Sequence, residues 1–313
     1  MNLVSISANP VPEDVVCGTL KTRDGILLRF ARWAPPPGRK GTVCIFQGRA
    51  EFIEKYFETV RDLRARGFAV VAFDWRGQGL SGRMLGDPRK GYVRHFDEYE
   101  IDLETVAKEV LLPDCPPPFY ALAHSMGASV LMRASFRHRW FERMVLSAPM
   151  IDLPPKRFGF LRRPLVTAMK WSGMGGSYVP GGSADVVALR PFIGNPLTTD
   201  PVRHARTSAI IEAEPGVALG SPTVSWAFAA FRVMREFAEP GYPAKIRQPM
   251  VMVAAGRDEI VSTPAIEDFS IRMRAGSHLI IPGAKHELLM EQDRYRGQFW
   301  AAFDAFVPGT PAF

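Results

Sequence analysis

Residues 119-FYALAHSMGASVLMRAS-135 run apolar from Phe119, break at His124-Ser125-Met126-Gly127, and resume in alanines, leucine and methionine. A polar pair stands where continuous burial is expected. A core strand with an incidental hydroxyl, or a serine capping a helix, would account for it locally. A strand that turns sharply into a helix accounts for more, because small residues, Ala123 and Gly127, flank Ser125 at the two positions where such a turn needs them. The turn would raise the Ser125 hydroxyl to the top of a sheet. Alanine stands at the first glycine position of the GxSxG pattern, so one methyl must fit beside the turn.

A hydroxyl is a weak nucleophile at neutral pH and needs an adjacent base, itself oriented by a third group. In hydrolases built on a strand–turn–helix nucleophile, the acid follows a later strand and the histidine a still later one. The stretch 250-MVMVAAGRDEIV-261 supplies Asp258 after an apolar run, and 278-HLIIPGAKHELLME-291 supplies His286 after the next. Taken singly, Asp258 reads as a solvated turn residue and His286 as a surface histidine at a helix start. Taken together with Ser125, their order and spacing make Ser125, His286 and Asp258 the candidate nucleophile, base and orienting acid. Glu259 and Glu287 are the nearest rivals as acid, each one residue beyond the expected place.

The rest of the chain fits a sheet that could carry such a site. Apolar runs of strand length recur at 42–46, 68–73, 119–123, 144–147, 250–255 and 278–281, each closed by turn residues. Runs apolar on both faces suit a mostly parallel sheet covered by helices. Phe96, Tyr99, Leu103, Val106 and Val110 form one helical stripe just before the 119 strand. Asp24-Gly25, between two alternating segments, predicts an antiparallel hairpin leading into the sheet. The alternation of strand and helix predicts an α/β fold. From 151 to 243 it stops: prolines and glycines are followed by helix-like stretches such as 224–237. This segment is expected to be a helical cap inserted between sheet strands, with 1–150 and 244–313 forming the core.

With 313 residues, 47% apolar, the chain can bury a large core. No run approaches the ~18–20 apolar residues that cross a bilayer, and the N-terminal segment lacks the pattern of a secretion signal, so a cytoplasmic protein is expected. Three cysteines, Cys17, Cys44 and Cys115, are widely spaced without CxxC or paired histidines, which indicates neither a disulfide framework nor a metal site. They are expected to be buried small hydrophobes. The net charge of +7 comes from scattered basic residues without a nucleic-acid motif. It is compatible with a transient contact with an anionic membrane surface. Gly77, Gly79 and Gly82 match GxGxxG, but the third glycine opens no helix, since 83-RMLGDP-88 breaks at once. No dinucleotide site is expected there; 74–81 reads as a structural loop beneath the candidate site.

With Ser125, Asp258 and His286 in place, 47-QGRAEFIEKY-56 and 74-DWRGQGLSG-82 complete a resemblance. The chain resembles α/β-hydrolases of the bacterial lysophospholipase and monoacylglycerol lipase group over roughly 18–306, most weakly in the cap. The resemblance implies a serine hydrolase mechanism without cofactor or metal, acting on a small ester or lipid. It also implies an oxyanion hole from the backbone N–H groups of Arg49 and Met126, with Gln47, Gly48, Glu51, His124 and Gly127 as supporting residues and Tyr56 beside them. Many family members carry a histidine where this chain has Gln47. The Arg49 side chain could meet a phosphate or carboxylate, but exposure to solvent is the ordinary expectation for an arginine. In the cap, Phe158, Phe160, Leu161, Leu165, Val166 and Trp171 lie among Lys156, Arg157, Arg162, Arg163 and Lys170. Such a mixture, like Trp226, Phe228 and Phe231, either lines an acyl pocket or packs as an ordinary helix. The expected function is therefore cleavage of a carboxylic ester, a lysophospholipid or monoacylglycerol. The alternatives are a carboxylesterase for short-chain or polyester substrates and a binding protein that keeps the fold without turnover.

Overall fold

The computed structural model describes residues 3–35, 37, 40–155 and 161–308. Eight strands form one sheet in the order β1-β2-β4-β3-β5-β6-β7-β8. They are β1 (Val15–Lys21), β2 (Leu27–Trp33), β3 (Thr42–Phe46), β4 (Ala69–Phe73), β5 (Phe119–His124), β6 (Arg143–Ser147), β7 (Met250–Ala255) and β8 (Gly276–Ile281). β1 and β2 pair antiparallel around the turn at Gly25, whose φ of 89° suits glycine; β2 meets β4 antiparallel, and every later pairing is parallel. The expected α/β architecture and hairpin are present.

Side-chain alternation divides the apolar strands between two cores. Cys44, Phe46, Ala121, Ala123, Leu146 and Met252 face the helices Asp97–Val106, Ser125–Ala134, Val224–Phe237 and Thr263–Ile271. Val43, Ile45, Tyr120, Leu122, Val145 and Val253 face Phe57–Ala65 and Asp293–Phe306 on the other side. Strands β3 to β7 are buried on both faces, which is why they read as unbroken apolar runs. β8 is an edge strand with alternating exposure, and it begins two residues before the apolar run that marks it in the sequence. Of the cysteines, Cys44 and Cys115 are buried as expected, whereas Cys17 is only half-buried because it lies on the edge strand β1.

The GxGxxG match is a loop locked by charge. A Cβ on Gly79 would lie 2.1 Å from the Asp74 carboxyl carbon, so glycine is needed for close approach there, as well as for a φ of 51°. The Asp74 carboxylate accepts from the N–H of Ile53 and of Leu80 and from Arg29, which also pairs with Glu54 at 2.6 Å. This fully buried network ties β2 to the loops after β3 and β4.

Between β6 and β7 the described residues add no strand to the sheet. They contain the helices Arg162–Trp171, Pro201–Ala213 and Val224–Phe237. The second starts because Asp200 caps the N–H groups of Val202 and Arg203 with Pro201 in the first turn; the third because the Thr223 hydroxyl accepts from Trp226 N–H. Among the described residues no helix is long and apolar enough to cross a membrane.

Candidate active site

Ser125 is the first residue of the helix that follows β5, and its φ of 48° is left-handed, a strained conformation for a residue with a Cβ. Such a backbone persists only where its surroundings over-determine it. Here a Cβ on Gly127 would lie 2.5 Å from the carbonyl oxygens of Phe46 and Gln47, so only glycine lets the helix start press against the end of β3. Ala123, fully buried, fits its methyl between Phe46 and Leu146 on the neighbouring strands.

The loops after β7 and β8 are zipped together. Gly256 N–H donates to the Ile281 carbonyl and Arg257 N–H to that of Ala284, which brings Asp258 beside His286. Asp258 Oδ1 accepts from the N–H groups of Ile260 and Val261, leaving Oδ2 to accept from His286 Nδ1 at 2.7 Å. Burial alone would raise the Asp258 pKa, but the His286 charge and these hydrogen bonds outweigh it and hold the pKa below the usual value. An ionised carboxylate only accepts, so the His286 proton sits on Nδ1 and the Nε2 lone pair faces the Ser125 hydroxyl, whose Oγ is 3.0 Å away. Burial pulls the His286 pKa down, and Asp258 more than compensates, leaving it raised. The structure thus brings Ser125, His286 and Asp258 together. Of the rival acids, Glu287 points to Lys55 at 2.5 Å, and Glu259 makes no hydrogen bond or ion pair among the described residues.

Three consecutive backbone N–H groups follow Gln47. That of Gly48 donates to Glu51 Oε2 and that of Ala50 to Gln78 Oε1, each at 2.5 Å. The N–H of Arg49 has no partner among the described residues, and that of Met126 is one of the first-turn groups a helix cannot satisfy internally. The N–H groups of Arg49 and Met126, expected from the sequence, are thus both without an acceptor among the described residues. Gln47 does not face the cavity. Its backbone carbonyl accepts from Trp75 Nε1 at 2.9 Å, while its amide spans the Phe73 carbonyl and the Ile53 N–H, 3.0 Å each, and anchors the loop from beneath. The His124 ring lies 4.7 Å from that of His286 and donates from Nδ1 to the Ser147 carbonyl; burial drives its pKa to about 4, so it packs there uncharged at neutral pH.

Sequence reasoning missed Lys55. Its ammonium is buried between Glu51 Oε1 at 2.8 Å and Glu287 Oε1 at 2.5 Å, joining the loop after β3 to the residue next to His286. Glu51 also accepts from Tyr56 Oη; burial opposes its ionisation, but Lys55 and His124 prevail and its pKa falls to about 2. The spacing of Glu51 and Lys55, four apart in the sequence, was the available signal. Arg49 corrects another expectation: its side chain turns inward, donating from Nη2 to the Gly220 carbonyl at 2.7 Å with the guanidinium 5.2 Å from the Trp226 ring centre. The Trp226 helix covers it, which the local sequence around Arg49 does not reveal.

Ser125, Met126, His286 and Arg49 open onto a cavity of about 580 Å³. Its walls are mostly apolar. Met150, Val166, Leu219, Ala230, Met234 and Ile260 contribute, and Trp226 and Phe231 lie within it. Leu165 and Arg162 also border it, whereas Leu161, Trp171, Phe228, Arg163 and Lys170 do not; Lys156, Arg157, Phe158 and Phe160 lie outside the described residues. Among the described residues no cluster of three or more His, Cys, Asp or Glu side chains could hold a metal ion.

The model of the family "serine aminopeptidase, S33" matches residues 37–293. The chain belongs to this family of α/β-hydrolases. Lysophospholipase L2 of Escherichia coli strain K12 is 30% identical over 284 residues, spanning 87% of this chain and 82% of that protein. Two solved structures share the fold. A soluble variant of the monoglyceride lipase of Saccharomyces cerevisiae, in complex with a substrate analog, superposes with a TM-score of 0.71 at 18% identity, covering 93% of this chain and 96% of that one. The Paleococcus ferrophilus monoacylglycerol lipase gives 0.70 at 19% identity, covering 90% and 99%. This S33 hydrolase is a serine ester hydrolase, as the sequence led us to expect.

Proposed function

We propose that this S33 hydrolase is a lysophospholipase, cleaving the acyl ester of a single-chain glycerophospholipid through an acyl-enzyme. The observation that carries the reading is the Ser125–His286–Asp258 alignment at the floor of an apolar cavity large enough for an acyl chain. In the proposed reaction, Ser125 Oγ attacks the ester carbonyl while its proton passes to His286 Nε2, and Asp258 holds the ring and balances its charge. The carbonyl oxygen, now negative, accepts from the N–H groups of Arg49 and Met126. Collapse breaks the acyl–oxygen bond, and the departing alkoxide takes the proton from His286. Water then attacks the acyl-enzyme, again giving a proton to His286, and the fatty acid leaves as Ser125 is restored.

The likeness to lysophospholipase L2 supports the head group, and the cavity supports the acyl chain. Residues 151–243 serve as the cap, since their helices supply most of the cavity wall that the sheet does not. The same segment exposes Leu161, Leu165 and Trp171 on or beside the helix that carries Arg162 and Arg163, and Ile193 elsewhere in it, 93% accessible, which suits approach to an anionic lipid surface. The buried thiols of Cys44 and Cys115 suit a reducing compartment, and we place the protein in the cytoplasm. The test is kcat/KM across lysophospholipids, monoacylglycerols and short-chain esters for the wild type and Ser125→Ala. Lysophospholipids should be the best substrates, with turnover and fluorophosphonate labelling lost in Ser125→Ala; equal labelling of the two proteins would remove Ser125 from its role.

A further inference from the structure

We infer that the Arg49 guanidinium is a specificity-determining subsite that binds the phosphate of the substrate's head group while the Arg49 backbone N–H faces the reacting carbonyl. The inference rests on the lysophospholipase reading and assigns the side chain that would recognise the head group.

Arg49 is a cation without a counter-ion. Among the described residues no carboxylate lies within 4.0 Å of it; of its five N–H bonds only one, from Nη2 to the Gly220 carbonyl, is made to the protein, and Nε is fully enclosed with no acceptor. Arg49 as a whole is half-buried, with the rest of its guanidinium facing the cavity; a guanidinium partly withdrawn from water normally meets a carboxylate, because leaving its charge unpaired there is costly. Burial pulls its pKa down to about 10, still well above neutrality, so the charge is retained. The cavity's own charges do not neutralise it. Of the acidic side chains that border the cavity, Glu51 and Glu287 are both committed to Lys55, while Arg162 and Arg190 border it without an ion pair among the described residues. Counted over the whole lining, Arg49, Lys55, Arg162 and Arg190 outnumber Glu51 and Glu287, so the cavity carries an excess of positive charge, and the Trp226 ring beside the guanidinium helps to orient it.

Chain geometry suits the assignment. As many covalent bonds separate the Arg49 backbone nitrogen from its guanidinium carbon as separate the ester carbonyl carbon of a 1-acyl glycerophospholipid from its phosphorus. A carbonyl held at the backbone N–H thus puts the phosphate within reach of the same residue's side chain. Guanidinium and phosphate are matched in shape and charge. A neutral monoacylglycerol offers Arg49 only hydroxyls and leaves the charge unpaired.

The experiment measures kcat/KM for 1-lauroyl lysophosphatidylglycerol and 1-lauroylglycerol with wild type, Arg49→Lys and Arg49→Gln. Each protein serves as its own reference through the ratio of the two substrates, so any general loss from disturbing the loop cancels. The ratio should fall by about tenfold or more in Arg49→Gln, with Arg49→Lys between. A ratio unchanged in both variants overturns the subsite and leaves the lysophospholipase reading standing; if Arg49→Gln does not fold, Arg49→Lys decides. If the wild type does not cleave the lysophospholipid, the lysophospholipase reading falls, and the subsite is judged by inhibition of p-nitrophenyl butyrate hydrolysis. Dodecyl phosphate should then inhibit the wild type about tenfold more strongly than dodecanol, with the advantage lost in Arg49→Gln. Equal inhibition by dodecyl phosphate and dodecanol in the wild type overturns the subsite. Equal, Arg49-dependent inhibition by dodecanoate and dodecyl phosphate would instead make Arg49 a site for the fatty-acid product and overturn the phosphate assignment.

Discussion

Lys55 Nζ lies 2.5 Å from Glu287 Oε1, so a buried cation from the loop after β3 grips the residue adjoining His286. The same ammonium holds Glu51, whose other oxygen fixes Gly48 N–H. One ion triad therefore sets both the loop that presents Arg49 N–H and the backbone that presents the histidine. Removing the cation leaves two buried carboxylates without a counter-ion, although Glu51 keeps the Gly48 N–H and Tyr56 hydrogen bonds. Lys55→Met is expected to lower unfolding stability by about 3–5 kcal/mol and to lower kcat in the protein that remains folded. Chemical denaturation with kcat measured on folded protein checks this; a variant unchanged in both would show that the two loops are held by other contacts.

The pH dependence follows from the His286–Asp258 pair. His286 accepts a proton in the proposed reaction, so activity needs it neutral, and Asp258 raises its pKa above the reference of about 6.5. The acid limb of kcat/KM is expected to have its midpoint above that value. Asp258→Asn removes the main cause, so the limb should move to lower pH while kcat falls by orders of magnitude, because the amide favours the wrong ring tautomer. The linked stability has a definite sign. A raised histidine pKa contributes stability below the unfolded pKa that is lost as pH rises through the folded one, so wild type should exceed Asp258→Asn in Tm by more at pH 6 than at pH 9. A limb that stays in place in Asp258→Asn would mean that Asp258 does not set the His286 charge.

Glycine positions give a pair of opposite outcomes. Gly127→Ala forces a methyl to 2.5 Å from two backbone oxygens beneath Ser125 and is expected to cost about 1–3 kcal/mol and most of the activity. Gly297, exposed in the helix Asp293–Phe306, has nothing within 4 Å of an added Cβ, so Gly297→Ala should stabilise by about 0.4–1 kcal/mol with unchanged kcat. Thermal unfolding of the two variants, side by side, reads both signs.

The elements nearest the site were the most legible in sequence, and physics explains the unevenness. Strands β3 and β7 carry unbroken apolar runs bounded by turn residues, so even their ends are visible. Ser125 and Asp258 follow strands of this kind, His286 follows the half-exposed edge strand β8, and the sheet then brings the three together. Side chains whose partners lie far off in sequence were not legible. Arg49 reads as an ordinary surface arginine until Trp226 covers it, and Lys55 reads as one charge among several until Glu287 arrives from the loop after β8. Glu287 itself was visible only as a rival acid, because sequence spacing locates a residue near a site without telling which atom it meets.

The cavity makes a prediction about chain length. Ala227, Ala230 and Met234 line it from one face of the helix Val224–Phe237. Each acyl CH₂ moved from water to an apolar wall contributes up to about 0.8 kcal/mol, so several enclosed methylenes change kcat/KM by tens to hundreds of fold. For p-nitrophenyl esters from acetate to laurate, measured below their aggregation limits, the wild type should rise beyond butyrate. Ala230→Trp fills the space that longer chains need, and its buried position gives the indole no route to solvent. The variant should therefore keep acetate hydrolysis and lose most of the gain at octanoate and laurate. A wild-type profile that peaks at acetate would reject the acyl-pocket role and favour a short-chain esterase, whereas a long-chain preference retained in Ala230→Trp would send the chain along a different wall.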